Sequence, residues 1–148
     1  MSFKKLLAKY VILLLFFTGA LQAQVCTLDI GGKNAETMVR VFQLNEAQMM
    51  ILETLQGELD VETKSLNEQI EKLLASHPQS TEEELIKLAD KYKVLQQKIV
   101  KASYDSDKKL LSEFNPKQYE RYLQLCKAAI RQPISVVPKV YRDSIDPE

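Results

Sequence analysis

Leu44-Asn45-Glu46-Ala47-Gln48 and Phe114-Asn115-Pro116-Lys117-Gln118 write the same helix start twice. In each, Asn45 or Asn115 offers a side-chain oxygen to the uncapped backbone N–H groups of a new helix. Gln48 or Gln118, three residues on, can reach back to the cap residue and complete a capping box. Leu44 with Met49, and Phe114 with Tyr119, bracket the caps as hydrophobic staples. Pro116 falls at the first helical position, where a missing N–H costs nothing. These starts belong at opposite ends of one helical hairpin and point to an all-α fold: a long antiparallel hairpin with short flanking helices.

The residues between the two motifs supply the long helices. Leu52, Leu55, Leu59, Leu66, Ile70 and Leu73 recur at spacings of three, four and seven, softened only by Thr63, and predict one helix over about Glu46 to Ser76. Gly57 weakens it by ~1 kcal/mol relative to alanine. His77-Pro78-Gln79-Ser80-Thr81 marks a turn, and either Ser80 with Glu83 or Thr81 with Glu84 makes a third capping box. Leu85, Leu88, Tyr92, Leu95, Ile99 and Ala102 then form a second stripe, continuing less clearly to Leu110 and Leu111. Each long helix spans roughly 45 Å, and the short turn makes them antiparallel. Gly31-Gly32 breaks a lead-in segment, residues 24–33, after which Asn34 can cap a short helix to about Phe42. The helical domain covers residues 34–131, its last helix running from Pro116 to near Arg131. The tail, residues 132–148, holds Pro133, Pro138 and Pro147 around an apolar run from Ile134 to Val140. It is either a packed extended arm or a mobile end, and its apolar content favours docking against the helices or against a second chain.

Residues 1–23 read as a secretory signal peptide. Lys4, Lys5 and Lys9 precede an apolar run from Tyr10 to Phe17, too short to span a bilayer, and small residues follow at Ala20 to Ala23. The expected location is the periplasm. Cleavage leaves 148 − 23 = 125 residues with 17 − 20 = −3 net charges. No basic stripe interleaves with aromatic residues, so nucleic acid is not an expected partner. In an oxidising compartment, Cys26 and Cys126 can form a disulfide tying the mature N-terminus to the last helix. The alternatives are two buried thiols, with Cys126 on the apolar face Tyr119, Tyr122, Leu123, Cys126, Ile130, or a bridge between chains.

Catalysis finds no constellation. The one histidine, His77, lies in a polar turn, and there is no phosphate-binding glycine loop. Met38, Met49 and Met50 do not share a face, so neither a metal site nor a cofactor is expected, and no small-molecule substrate. Two long helices bury only one stripe each, and the far half around Ile70 to Leu88 has no other segment of the chain to lie against. Leu66, Ile70, Leu73, Leu85, Leu88 and Tyr92 are therefore the candidate surface for a homodimer or for apolar clients.

The paired motifs and the order short, long, long and final helix over residues 34–131 resemble the Spy/CpxP family of periplasmic proteins. Its hallmark is Leu-Thr-x-x-Gln before the first long helix and before the last. Asn stands here for Thr in both motifs, and Phe114 for Leu in the second. The resemblance implies a thin, cradle-shaped dimer of helical hairpins. It implies an ATP-independent chaperone for unfolded envelope proteins, or a stress-signalling regulator or metal-responsive sensor bound to one envelope sensor protein. A purely structural dimeric module is the remaining reading. Chaperone members carry a basic concave face, whereas this mature chain is slightly acidic, and the two cysteines lie outside the family pattern.

Overall fold

The computed structural model describes residues 24–140; the expected signal peptide and the last residues of the tail, from Tyr141 on, lie outside the described residues. Four helices dominate: α1 Ala35–Phe42, α2 Glu46–Ser76, α3 Glu82–Ser112 and α4 Pro116–Ala128. Two short strands, β1 Val25–Cys26 and β2 Gln132–Pro133, pair in parallel near the two ends of the described chain. Among the described residues no helix is long and apolar enough to cross a membrane.

The helix limits follow from local chemistry. Asn45 accepts the Gln48 N–H at 2.9 Å and Asn115 the Gln118 N–H at 2.9 Å, so α2 and α4 begin where their caps predict. At α3 the box uses Thr81 and Glu84, with Thr81 accepting the Glu84 N–H at 3.2 Å; Ser80 donates its own N–H to Glu84 instead of capping. Asn34 departs from expectation. It occupies the cap position of α1, but its side chain makes no capping bond, because its backbone (φ −102°, ψ 17°) is not extended as a capping residue's is.

The two long helices pack together along a seam of Leu52, Leu55, Leu59, Leu66 and Ile70 against Leu88, Ala102, Leu110 and Leu111. Thr63 spans the weak point of the series by donating its hydroxyl to the Leu59 carbonyl at 2.7 Å. The periodicity of α3 fades at Leu110 and Leu111, yet both are fully buried. They sit where α1, α4 and the lead-in segment converge, so several elements cover them and a one-sided stripe is not needed. Phe114 is buried beside them, its ring 4.9 Å from that of Phe42.

Leu66, Ile70 and Leu88 correct the expectation that the far half lacks cover. All three are buried within the single chain, because the long helices close that part of the seam on each other. Leu73 is half-buried, while Leu85 and Tyr92 are exposed.

α4 also ends earlier than its pattern suggests. The Ile130 N–H donates to the Lys127 carbonyl and the Arg131 N–H to that of Cys126, a Schellman closure that reverses the chain after Ala128. Ile130 takes the left-handed position of this closure at φ 54° and is 85% exposed, so it leaves the apolar face it was expected to share. Glycine is the usual occupant of that position, and for a β-branched residue it costs about 1–2 kcal/mol. Beyond it the tail is an extended arm docked on the helices. Gln132 donates its N–H to Gln24, and Lys139 donates its N–H to the Phe114 carbonyl at 2.8 Å.

Two substitutions should therefore raise stability. A Cβ at Gly57 would meet nothing within 4 Å, so Gly57→Ala should add about 1 kcal/mol by removing a glycine from a helix interior. Ile130→Gly should add about 0.5–1 kcal/mol, the relief of left-handed strain less the entropy of glycine. Urea midpoints that rise at constant slope would bear this out; a fall at either site would contradict the local geometry.

Candidate functional site

The two helix-start motifs meet in space. The start of α2, the end of α3 and the start of α4 lie together there, joined by the hydrogen bonds of Gln48. The side-chain amides of Gln48 and Gln118 face each other in a reciprocal pair, each nitrogen 2.8 Å from the other's oxygen. Each oxygen also accepts its own cap's backbone N–H, from Asn45 at 3.1 Å and Asn115 at 2.9 Å. Gln48 gives its second proton to the Glu113 carbonyl at 2.7 Å, at the end of α3, and Gln118 to the Phe42 carbonyl at 3.0 Å, at the end of α1. Both amides are buried and use their full donor and acceptor capacity.

That arrangement decides a choice which capping rules leave open. A capping box accepts Glu or Gln at its fourth position. Glu84 serves at the outer turn, where its bonds are solvent-exposed. At the junction a carboxylate could not donate to Glu113 or Phe42, and it would face the partner glutamine's oxygen without water. Glutamine at both places was therefore the signal in the sequence that the two boxes are one structure.

Three groups to which the sequence reading gave no such role hold the lead-in segment. Asp107, buried in α3, accepts the backbone N–H groups of Leu28 at 2.7 Å, Asp29 at 3.3 Å and Ile30 at 3.2 Å. Successive N–H groups converging on an anion form a nest, and the left-handed Asp29 (φ 59°) creates the curvature. Burial pushes the Asp107 carboxyl above the ordinary aspartate range, and the three N–H groups pull the other way. Gln56 donates to the Ile30 carbonyl at 2.9 Å. Gly32 completes the turn, since a Cβ there would lie 2.3 Å from the Asp29 carboxylate. Asp107 had a readable sign: with Tyr104 and Leu111 it falls at spacings of three and four, an acid on an otherwise inward-facing strip.

Tyr122 is the third group. Its hydroxyl donates to the Cys26 carbonyl at 2.6 Å and accepts the Ile134 N–H at 2.8 Å, and burial raises its pKa. Cys26 and Cys126 are joined by a disulfide with a Cα separation of 5.6 Å, which ties β1 to α4. Both half-cystines are buried.

Away from this junction the long pair carries a different surface. Leu74, Leu85, Ile86, Tyr92 and Val94 are exposed along it. Leu73, Val94 and Leu95 line a hollow of about 480 Å³ with Lys72 and Lys91 at its rim. Nearer the junction, a groove of about 560 Å³ is edged by Glu58 and Glu62 on α2 and by Lys98, Lys101 and Lys109 on α3. Among the described residues, no group of three or more His, Cys, Asp or Glu side chains could hold a metal ion. No protein-family model, curated protein or solved structure matches the chain. The likeness to the Spy/CpxP family thus rests on the two motifs and on the helix order.

The junction predicts a ranking of substitutions. Gln48→Glu or Gln118→Glu should each cost more than about 2 kcal/mol, because each strands buried acceptors and adds an unpaired charge. Asn45→Ala or Asn115→Ala should cost about 0.5–2 kcal/mol, as ordinary cap losses. Glu84→Gln at the exposed box should stay within about 0.5 kcal/mol of wild type. Denaturant titration measures all five, and equal costs for Gln48→Glu and Glu84→Gln would refute the amide pairing.

Reduction provides a second check. The disulfide closes a sequence separation of 100 residues, a loop for which the chain-entropy model gives about 4.7 kcal/mol. Oxidised protein should show no titratable thiol, and its melting temperature should fall sharply on reduction. An unchanged melting temperature would mean that the bond adds nothing to what Tyr122 and Asp107 already hold.

Proposed function

We propose that this chain is an ATP-independent periplasmic chaperone whose long helix pair, an antiparallel hairpin, binds apolar segments of unfolded envelope proteins. The observation that carries this reading is the exposed apolar surface of the outer long pair. Its own seam is closed by Leu66, Ile70 and Leu88, yet Leu73, Leu74, Leu85, Tyr92, Val94 and Leu95 still line its outside or a hollow beside it. Apolar side chains left exposed after the core is complete offer a place for binding. The five residues 77–81 that join the helices, and the Glu58–Lys109 ion pair near their other end, support the antiparallel arrangement. The lysines at the rim suit clients of mixed charge despite the chain's slight net acidity. The disulfide fits an oxidising compartment, and the paired motifs fit the Spy/CpxP resemblance. A homodimer, through the same exposed side chains, belongs to this reading.

Ile70 and Leu88 are poor probes, since polar residues there would open the seam. Leu85→Ser combined with Tyr92→Ser alters exposed positions and should leave stability within about 1 kcal/mol of wild type. Purified mature protein should suppress aggregation of several unrelated unfolded clients without nucleotide, and the double variant should lose most of that protection. Protection of none would overturn the proposal. Selective capture of a single envelope sensor domain would favour the stress-signalling regulator instead.

A further inference from the structure

The extended arm after α4 is held in an unusual way. Its contacts are made largely to its backbone, and mostly by side chains fixed elsewhere. The Tyr122 hydroxyl accepts the Ile134 N–H, while the Tyr119 hydroxyl donates to the Ile134 carbonyl at 3.0 Å and accepts the Val136 N–H at 3.3 Å. Gln132 and Pro133 lie in parallel register against Val25 and Cys26. Only Ile134 is fully buried; Ser135, Val137, Lys139 and Val140 are exposed. The seat therefore reads chiefly an extended backbone and one apolar β-branched side chain, while Val136 packs partly against the core and Lys139 pairs with Glu113 at 2.6 Å.

Two features make this seat independent of its occupant. The disulfide fixes β1 to α4, so the strand that the arm pairs with stays in place if the arm leaves. Tyr122 is held by its bond to the Cys26 carbonyl, which keeps its oxygen aimed at the incoming N–H. Such a prearranged edge, with a pocket for one side chain, is the physical basis of recognition by strand addition. A third feature concerns the arm itself. Its hinge is Ile130, held left-handed while the arm is docked. Release lets this β-branched residue return to ordinary backbone, so docking is opposed by strain at its base.

We propose that the arm is a releasable occupant of a peptide-binding seat formed by β1, Tyr119 and Tyr122. When it swings out, the seat accepts an extended segment of an unfolded protein that presents a β-branched apolar residue in the place of Ile134. The seat is separate from the hollow on the long pair, and its test needs no aggregating client, so either reading can fail without the other.

The probe is a fluorescent peptide with the sequence of residues 132–140, titrated into the full mature chain with its disulfide intact. Binding to wild type should be saturable and weak, because the arm occupies the seat most of the time. Ile134→Ser loosens the arm and should tighten binding about tenfold, in proportion to the fraction of open seats. Ile130→Gly removes the hinge strain, holds the arm in place and should weaken it several-fold. A peptide with serine in place of Ile134 should bind none of the three proteins. If Ile134→Ser does not fold, the comparison of Ile130→Gly with wild type still decides the matter. Absence of peptide binding to wild type and to folded variants alike overturns the proposal. So does a wild-type dimer in sedimentation that Ile134→Ser abolishes, because the occupant would then be a second copy's arm.

Discussion

The reciprocal amide pair between Gln48 and Gln118 is the constraint on which the rest of the structure depends. It joins the end of α1, the start of α2, the end of α3 and the start of α4 at one buried point. Each glutamine must satisfy its own cap and a carbonyl on a neighbouring element, so neither helix can shift along its axis without stranding a buried donor. Buried polar groups of this kind are costly when half-satisfied and rigid when complete. Among the described residues no buried side-chain nitrogen or oxygen lacks a partner. The long pair thus leaves a base whose geometry is fixed by hydrogen bonds, and hydrophobic burial around Phe114 and Leu110 supplies the driving force.

Around that point the chain solves a second problem, that of covering four helix ends with two segments that are not helical. A lead-in segment and a C-terminal arm bring Ile30 and Ile134 into the core, and each must have its backbone satisfied away from water. Among the described residues no sheet is large enough to do this. Side chains do it instead: Asp107 and Gln56 for the first, Tyr119 for the second, and Tyr122 for both. The raised pKa of Asp107 shows that burial outweighs the three N–H groups that favour its charge. Its carboxylate serves as an internal anchor, and the disulfide makes the lead-in segment permanent where the arm is held only by contacts.

Local signals made the helices legible, because capping and periodicity act within a few residues. The Asn-x-x-Gln boxes, the Thr81 box and Pro116 set the helix starts, and the leucine series of α2 marked its buried stripe. What the sequence did not reveal was tertiary partnership. Gln48 and Gln118 look like two caps until their amides are seen to pair across 70 residues. Leu110 and Leu111 lost their periodic pattern at the point where cover comes from every side. Leu66, Ile70 and Leu88 seemed uncovered because a one-stripe account of each helix underestimates how far two long helices close on each other. Tyr119 and Tyr122 read only as apolar positions for a related reason: their hydroxyls satisfy backbone groups of distant segments, a task that leaves no local pattern.

The two halves of the long pair differ in what holds them. Near the junction, α2 and α3 are pinned by the amide pair, the Asp107 nest, the aromatic contact of Phe42 with Phe114 and, through α4, the disulfide. Farther out they have one seam, and the exposed Glu83–Lys87 pair, worth only tenths of a kcal/mol, lies within α3 and joins no two helices. Local opening should therefore begin at the outer turn and die away toward the base, as regions with few buried contacts open first. Apolar side chains exposed on the outer half sit on the part of the molecule best able to adjust to irregular partners, while the base that carries them stays rigid. A binding surface placed the other way round, on the pinned junction, could adapt to a new partner only by breaking Gln48 from Gln118.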